Sequence, residues 1–170
     1  MDEDVLNKRF DLTNGQYLTL DSALQENEFS VLLFLSPECP LCQNYSVKFS
    51  EIIEEYNNES IGFYGVLSGK YYTREEMNEF LKKYELDLPI IEDPAFNLAN
   101  HYGATITPEA VLISPSGKDL YQGAIDNWAI SLGQKRIKTT EFYLNDALPA
   151  SLQGKEIDPS RTKPIGCYIE

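Results

Sequence analysis

Apolar and polar positions follow two rhythms along the chain, and their succession predicts the order of its elements. Over residues 10–20 apolar positions alternate with polar ones on both sides of Asn14-Gly15, which predicts a β-hairpin closed by a tight I′ turn. Asp21 is placed to cap a short helix running through Leu24. Within residues 30–36 the run Val31-Leu32-Leu33-Phe34-Leu35 does not alternate, as expected of a central strand buried on both faces. Pro37 stops it. From Cys39 the period lengthens: Leu41, Tyr45, Phe49, Ile52 and Tyr56 recur at helical spacing. Residues 61–67 form the next predicted strand. Thr73-Arg74-Glu75-Glu76 is a capping box ahead of the stripe Met77, Phe80, Leu81 and Tyr84. Residues 88–91 suggest a short strand, and Asp93-Pro94 a cap with proline at the first position of a helix ending near Gly103. Residues 110–113 and 120–122 flank Pro115-Ser116-Gly117 as a second hairpin. A last helix fits 140–148, stopped by Pro149, and the tail 151–170 reads as extended.

Strands alternating with helices predict an α/β fold: a central, mostly parallel sheet flanked by helices, with antiparallel strands added at its edge by the closing hairpin. The 170 residues suit one domain, 1–150, with a C-terminal extension, 151–170, that carries Cys167. Forty-two per cent apolar and 24 per cent charged residues exclude disorder. The net charge of −13 makes nucleic acid and anionic lipid poor partners, and no apolar run reaches the roughly 18 residues needed for membrane insertion. Three cysteines and one histidine exclude a disulfide-dense mini-protein and most Cys/His metal sites, so any chemistry is expected to use sulfur, with no metal or organic cofactor.

Cys39-Pro40-Leu41-Cys42 falls where the buried strand hands over to a helix. At such a helix start the first sulfur is expected to point outward, its thiolate favoured by backbone N–H groups and the positive end of the dipole. The second sulfur, one turn on, is placed to resolve a mixed disulfide. Glu38 opposes the thiolate and Pro40-Leu41 supplies no cation, so a mildly perturbed Cys39 thiol is expected. A structural C-x-x-C and half of a zinc site are the competing readings; Gln43 after Cys42 excludes covalent haem. Thr107-Pro108, just before a strand, is compatible with a cis bond that exposes the Thr107 backbone to an extended peptide, although a trans turn proline is the commoner case.

Leu35-Ser36-Pro37-Glu38-Cys39-Pro40-Leu41-Cys42 with the later Thr107-Pro108-Glu109 resembles the thioredoxin superfamily, and within it the redoxins of the alkyl hydroperoxide reductase/thiol-specific antioxidant type. Gly123-Ala124-Ile125-Asp126 resembles the closing step of that group, and Thr162-Lys163-Pro164-Ile165-Gly166-Cys167 the ending of its peroxiredoxin-like members. The resemblance implies a thioredoxin-like fold, a redox-active Cys39–Cys42 pair, and a cis Pro108 packed beside it. Pro40, Thr107 and Pro108 would shape a substrate groove. The chain departs from peroxiredoxins in lacking their proline and threonine before the first cysteine. It departs from thioredoxins in having Glu38 for tryptophan and Leu33 for a buried aspartate.

The expected activity is thiol–disulfide exchange with protein disulfides or dithiols, recharged by an unidentified protein reductant. A thiol peroxidase and a non-catalytic binding module, including one holding copper through the two thiolates, are the alternatives. Cys167 is either a third redox thiol or an idle one. Trp128 and the tyrosines read as packing residues, and His101 has no assigned neighbour. The start Met1-Asp2-Glu3-Asp4 is no secretory signal; the resemblance favours the bacterial cell envelope or periplasm, with a signal removed, over the cytoplasm.

Overall fold

The apolar run becomes β3 (Phe29–Phe34), the middle strand of a five-stranded mixed sheet. The structure, a computed structural model, describes residues 3–56 and 60–170; Met1 and Asp2, where the start was read for a signal, lie outside them. On one side β3 pairs in parallel with β4 (Ile61–Ser68), which pairs in parallel with β5 (Ile90–Asp93). On the other it pairs antiparallel with β7 (Glu109–Ile113), which continues antiparallel into β8 (Asp119–Gly123). Both faces of β3 are covered, which is why its sequence does not alternate. Val31, Leu33 and Leu35 enter a core with Phe49, Ile52, Met77, Phe80 and Leu148. Leu32 and Phe34 enter a second core with Phe10, Leu20, Leu24 and Leu98. This is the thioredoxin-like α/β architecture that the element order predicts.

Several local expectations give way to a better-satisfied alternative. The first hairpin, β1 (Arg9–Asp11) and β2 (Tyr17–Thr19), is closed by a longer turn than the expected I′ type. Gly15 N–H bonds Leu12 O at 3.0 Å, and within the turn Gly15 takes the positive φ of +90°. The Asn14 carboxamide oxygen accepts the Gln16 N–H at 2.9 Å. After a short α1 (Glu3–Asn7), Thr19, not Asp21, caps α2 (Leu20–Gln25), its hydroxyl accepting the Ser22 N–H. Asp93 does act as a cap for α6 (Asn97–Tyr102), but from the end of β5. Its carboxylate accepts the Leu98 and Ala99 N–H groups, and Pro94 falls in the intervening turn rather than in the helix. The helix after Cys39 is two segments, α3 (Pro40–Asn44) and α4 (Ser46–Tyr56). Ser46 Oγ donates back to Gln43 O at 2.8 Å beside the break, a bond that competes with the regular ladder.

The capping box forms as written: Thr73 and Glu76 satisfy each other's backbone N–H at the head of α5 (Arg74–Lys83). The last helix, α7 (Tyr143–Leu152), starts three residues later than expected and runs through Pro149. Burial of Leu144, Ala147, Leu148 and Ser151 on one face outweighs the bond that Pro149 removes. Beyond it the chain crosses the rim of the sheet, adding β11 (Cys167–Tyr168) to β6 (Ile106–Thr107). A small pair, β9 (Ala129–Ser131) and β10 (Gln134–Lys135), carries no sequence signal that distinguishes it from a loop.

Leu33 is 1 % exposed, packed beneath the cysteine-bearing helix. Leu33→Ala is expected to lower stability by about 3 kcal/mol in urea unfolding, whereas Ile137→Ala, at a fully exposed position, leaves it within about 0.5 kcal/mol.

Candidate active site

β3 and β7 lie side by side with Phe34 opposite Glu109, so the loop leaving β3 and the loop entering β7 meet at one rim of the sheet. From β3 the chain turns through Ser36-Pro37-Glu38 and places Cys39 as the N-cap of α3. Pro40 occupies the first turn, where a missing N–H costs nothing. At the start of β7 the Thr107–Pro108 bond is cis, and the Thr107 carbonyl accepts the Cys39 thiol at 3.3 Å. Cys42 is fully buried behind Cys39, and the two sulfurs are within hydrogen-bonding reach. Thr107 therefore stands at the sulfurs as the resemblance implies. Pro108 is buried beside it, while Pro40 is exposed at the helix start.

The edge strand β6 is occupied by the chain's own tail. Cys167 stands opposite Thr107 and Tyr168 opposite Ile106, and Ile169 N–H bonds Thr105 O at 2.9 Å. The tail is clasped further back. Thr162 Oγ1 accepts the Ala124 N–H at 2.9 Å and meets the Tyr121 hydroxyl at 2.7 Å. Its N–H donates to Gln122 O on β8, and the Gln122 N–H donates to Ser160 O two residues earlier in the tail. A side chain at Gly166 would run into the Thr107 carbonyl, so only glycine lets the tail come this close. The ending Thr162…Gly166-Cys167 is thus a clasp, a close approach and a thiol. A polar chain, buried at Glu109 and Gln122 and exposed at Arg161, ties tail to loop: Glu109 accepts the Thr105 and Ile106 N–H groups and the Gln122 amide, and Gln122 accepts from Arg161, which also pairs with Asp119.

Under this cover Cys39 is 2 % exposed, so it does not point outward as expected. Its electrostatics differ too. The Cys39 thiol is lowered to about 5, chiefly by the hydrogen bond from the Cys42 thiol. Burial opposes this, and the Cys167 thiol, the Cys42 backbone N–H and the Thr107 hydroxyl add to the lowering. The mild shift expected from Glu38 and the dipole is overridden by these donors. Burial and the neighbouring Cys39 charge push Cys42 well above the usual thiol range. Cys167 is raised to about 12 by burial, Cys39 and then Glu170. Of the three free thiols Cys39 ionises first, near pH 5; above that point it gives up its bond to the Thr107 carbonyl and accepts from the other two thiols.

Beside Cys39 and Cys167 lies a cavity of about 330 Å³, walled in part by Leu67, Tyr72, Tyr168 and Ile169. Its charged walls are Glu38 and Glu170; no lysine or arginine lines it among the described residues. Sequence reasoning missed the Tyr72 wall and the Glu109–Gln122–Arg161 chain, since neither shows a local pattern. Trp128 packs edge-on against Tyr45, as a packing residue should. His101 lies on α6, whose buried residues belong to the core that excludes the cysteines.

The fold and the converging sulfurs define a thioredoxin-fold redox protein. More narrowly, residues 6–119 match the model of the AhpC/TSA family, and the chain belongs to that family. No curated protein matches the sequence. Among solved structures, it is similar to a hypothetical protein of Sinorhizobium meliloti 1021, with 22% identity, TM-score 0.83, and 97% of this chain and 91% of the other covered. It is also similar to the bacterioferritin comigratory protein of Xanthomonas campestris, described for alkyl peroxide reduction (15% identity, TM-score 0.64, 91% and 95% covered). A third likeness is to a secreted disulfide oxidoreductase of Mycobacterium tuberculosis homologous to E. coli DsbE (19% identity, TM-score 0.61, 91% and 99% covered). Among the described residues no helix is long and apolar enough to cross a membrane.

Titration of thiolate absorbance at 240 nm is expected to show one group ionising near pH 5, with Cys39 protonated below and charged above that point. Cys42→Ser, which replaces the strongest donor by a differently placed hydroxyl, is expected to move that midpoint upward. An unchanged midpoint would remove Cys42 as the main cause.

Proposed function

We propose that the chain is a thiol–disulfide oxidoreductase in which Cys39 is the nucleophile and Cys42 the resolving thiol. One observation carries this: Cys39 caps α3 against the Thr107 carbonyl, with the Cys42 thiol buried one turn behind it. Cys39 thiolate attacks a substrate disulfide, forming a mixed disulfide and releasing one substrate thiolate. Cys42 then loses its proton and attacks the Cys39 sulfur; the Cys39–Cys42 bond forms and the second substrate sulfur leaves as a thiolate. Substrates are thiols or disulfides of other proteins, and a protein reductant or oxidant resets the pair. Thr107 and Pro108 shape the groove at which such partners dock. Residues 151–170 act as an extension of the 1–150 domain. The description of the M. tuberculosis neighbour supports this activity.

A thiolate stabilised in the reduced protein raises the reduction potential of the pair. Equilibration with glutathione is expected to give a value above the roughly −270 mV of thioredoxin; a lower value would contradict the charge placement. In an insulin-reduction assay Cys39→Ser abolishes activity. Equal rates for wild type and Cys39→Ser would exclude the mechanism and leave a binding scaffold.

A second reading, reduction of a hydroperoxide by Cys39, is favoured by the cavity beside a covered sulfur and by the description of the X. campestris neighbour. It is weakened by acidic cavity walls that offer no cation to polarise a peroxide bond. Peroxide consumption with excess dithiol distinguishes the two: the first reading expects none above the uncatalysed rate.

A further inference from the structure

The tail sits at the rim as a bound peptide would. An extended segment pairs antiparallel with the free edge of β6, and a cysteine in that segment faces the Thr107 position beside the nucleophile. Strand addition at an exposed edge is a general mode of peptide capture. Here the captured strand belongs to the same chain, and its cysteine lines the same cavity as Cys39, opposite the Thr107 whose carbonyl meets the Cys39 sulfur. We propose that residues 161–170 are a tethered substrate: Cys167 exchanges disulfides with Cys39, and protein substrates reach Cys39 by displacing this strand from β6.

The exchange balances without an added oxidant. In the oxidised protein Cys167 loses its proton and attacks the Cys39 sulfur; the Cys39–Cys167 bond forms, the Cys39–Cys42 bond breaks, and Cys42 leaves as a thiolate that takes up the proton. The same attack on a Cys39 mixed disulfide expels the substrate thiolate instead. The attachment suits a displaceable segment. β11 is two residues long and the Tyr168 side chain is exposed to solvent; Ile165, Cys167 and Ile169 pack against the cores but are only partly buried, so the segment can open locally at modest cost. The close approach at Gly166 also defines the incoming partner: an extended protein segment with a glycine immediately before its reactive cysteine fits the same register. This inference rests on Cys39 as the exchanging nucleophile.

The test uses full-length Cys42→Ser protein treated with oxidised glutathione and mapped by peptide mass spectrometry. The expected product is a Cys39–Cys167 link with glutathione released. A stable glutathione adduct on Cys39, with Cys167 free, would overturn the proposal while leaving Cys39 a nucleophile. No modification of Cys39 in either wild type or variant would overturn the exchange reading itself, and this inference with it. Gly166→Val supplies the second measurement, because its side chain cannot coexist with the docked strand. Alkylation of Cys39 by iodoacetamide is expected to quicken by roughly tenfold or more as the strand is released. The internal link should fall away when Gly166→Val is combined with Cys42→Ser. Unchanged alkylation with an unchanged link would overturn strand displacement.

Discussion

One peptide unit organises the reactive end of this molecule. The Thr107 backbone faces Cys39 with its carbonyl, pairs with the tail through the β6 ladder, and sets the contact that Gly166 must tolerate. Its position comes from the register that places Phe34 opposite Glu109. Two central strands, each fixed by burial, deliver the Cys39 loop and the Thr107 loop to the same rim. Glu109 then ties Thr105 and Ile106 down through their N–H groups, fixing the start of the edge presented to the tail.

Burial by itself would make Cys39 a poor nucleophile, because a thiolate taken out of water is destabilised. At Cys39 the hydrogen bonds outweigh desolvation, and the thiol is lowered to about 5. The largest donor is a second thiol, and a further one is supplied by the tail. The cover that hides Cys39 thus also helps to keep it charged. Burial raises all three thiols, but Cys39 alone receives hydrogen bonds from both of the others, and the charge follows.

The fold was legible wherever a pattern is local. The unbroken run 31–35 marked the central strand, the Thr73–Glu76 box marked the head of a helix, and Cys39-Pro40-Leu41-Cys42 marked a strand-to-helix corner. Legibility failed where a tertiary partner decides the outcome. Pro149 reads as a helix stop, yet the buried face of α7 carries the helix past it. Asp93 reads as an adjacent cap, yet it acts across a turn. For the site, the sequence names the sulfurs and Thr107 but leaves Cys167 undecided. A thiol at the end of an extended tail has no position until the tail is anchored, and its anchors, Gln122 and Tyr121, are distant in sequence. The outward-facing Cys39 failed for the same reason: the cover arrives from the far end of the chain.

Access is therefore the property on which the chemistry turns. A nucleophile sealed permanently beneath a strand could meet only what fits a cavity of about 330 Å³. A strand that leaves exposes a sheet edge already shaped for another. The tail is firmly held at Thr162, by side-chain and backbone bonds, and lightly held at Cys167–Tyr168, where a two-residue ladder suffices. Anchoring at one end and light pairing at the other is how a segment can open repeatedly without being lost. The short span from Thr162 to Cys167 returns the thiol to the same place, so encounter with Cys39 is intramolecular and does not depend on protein concentration. In the proposed exchange a partner protein would compete with that high local concentration, and the match of its own strand to β6 would then set selectivity.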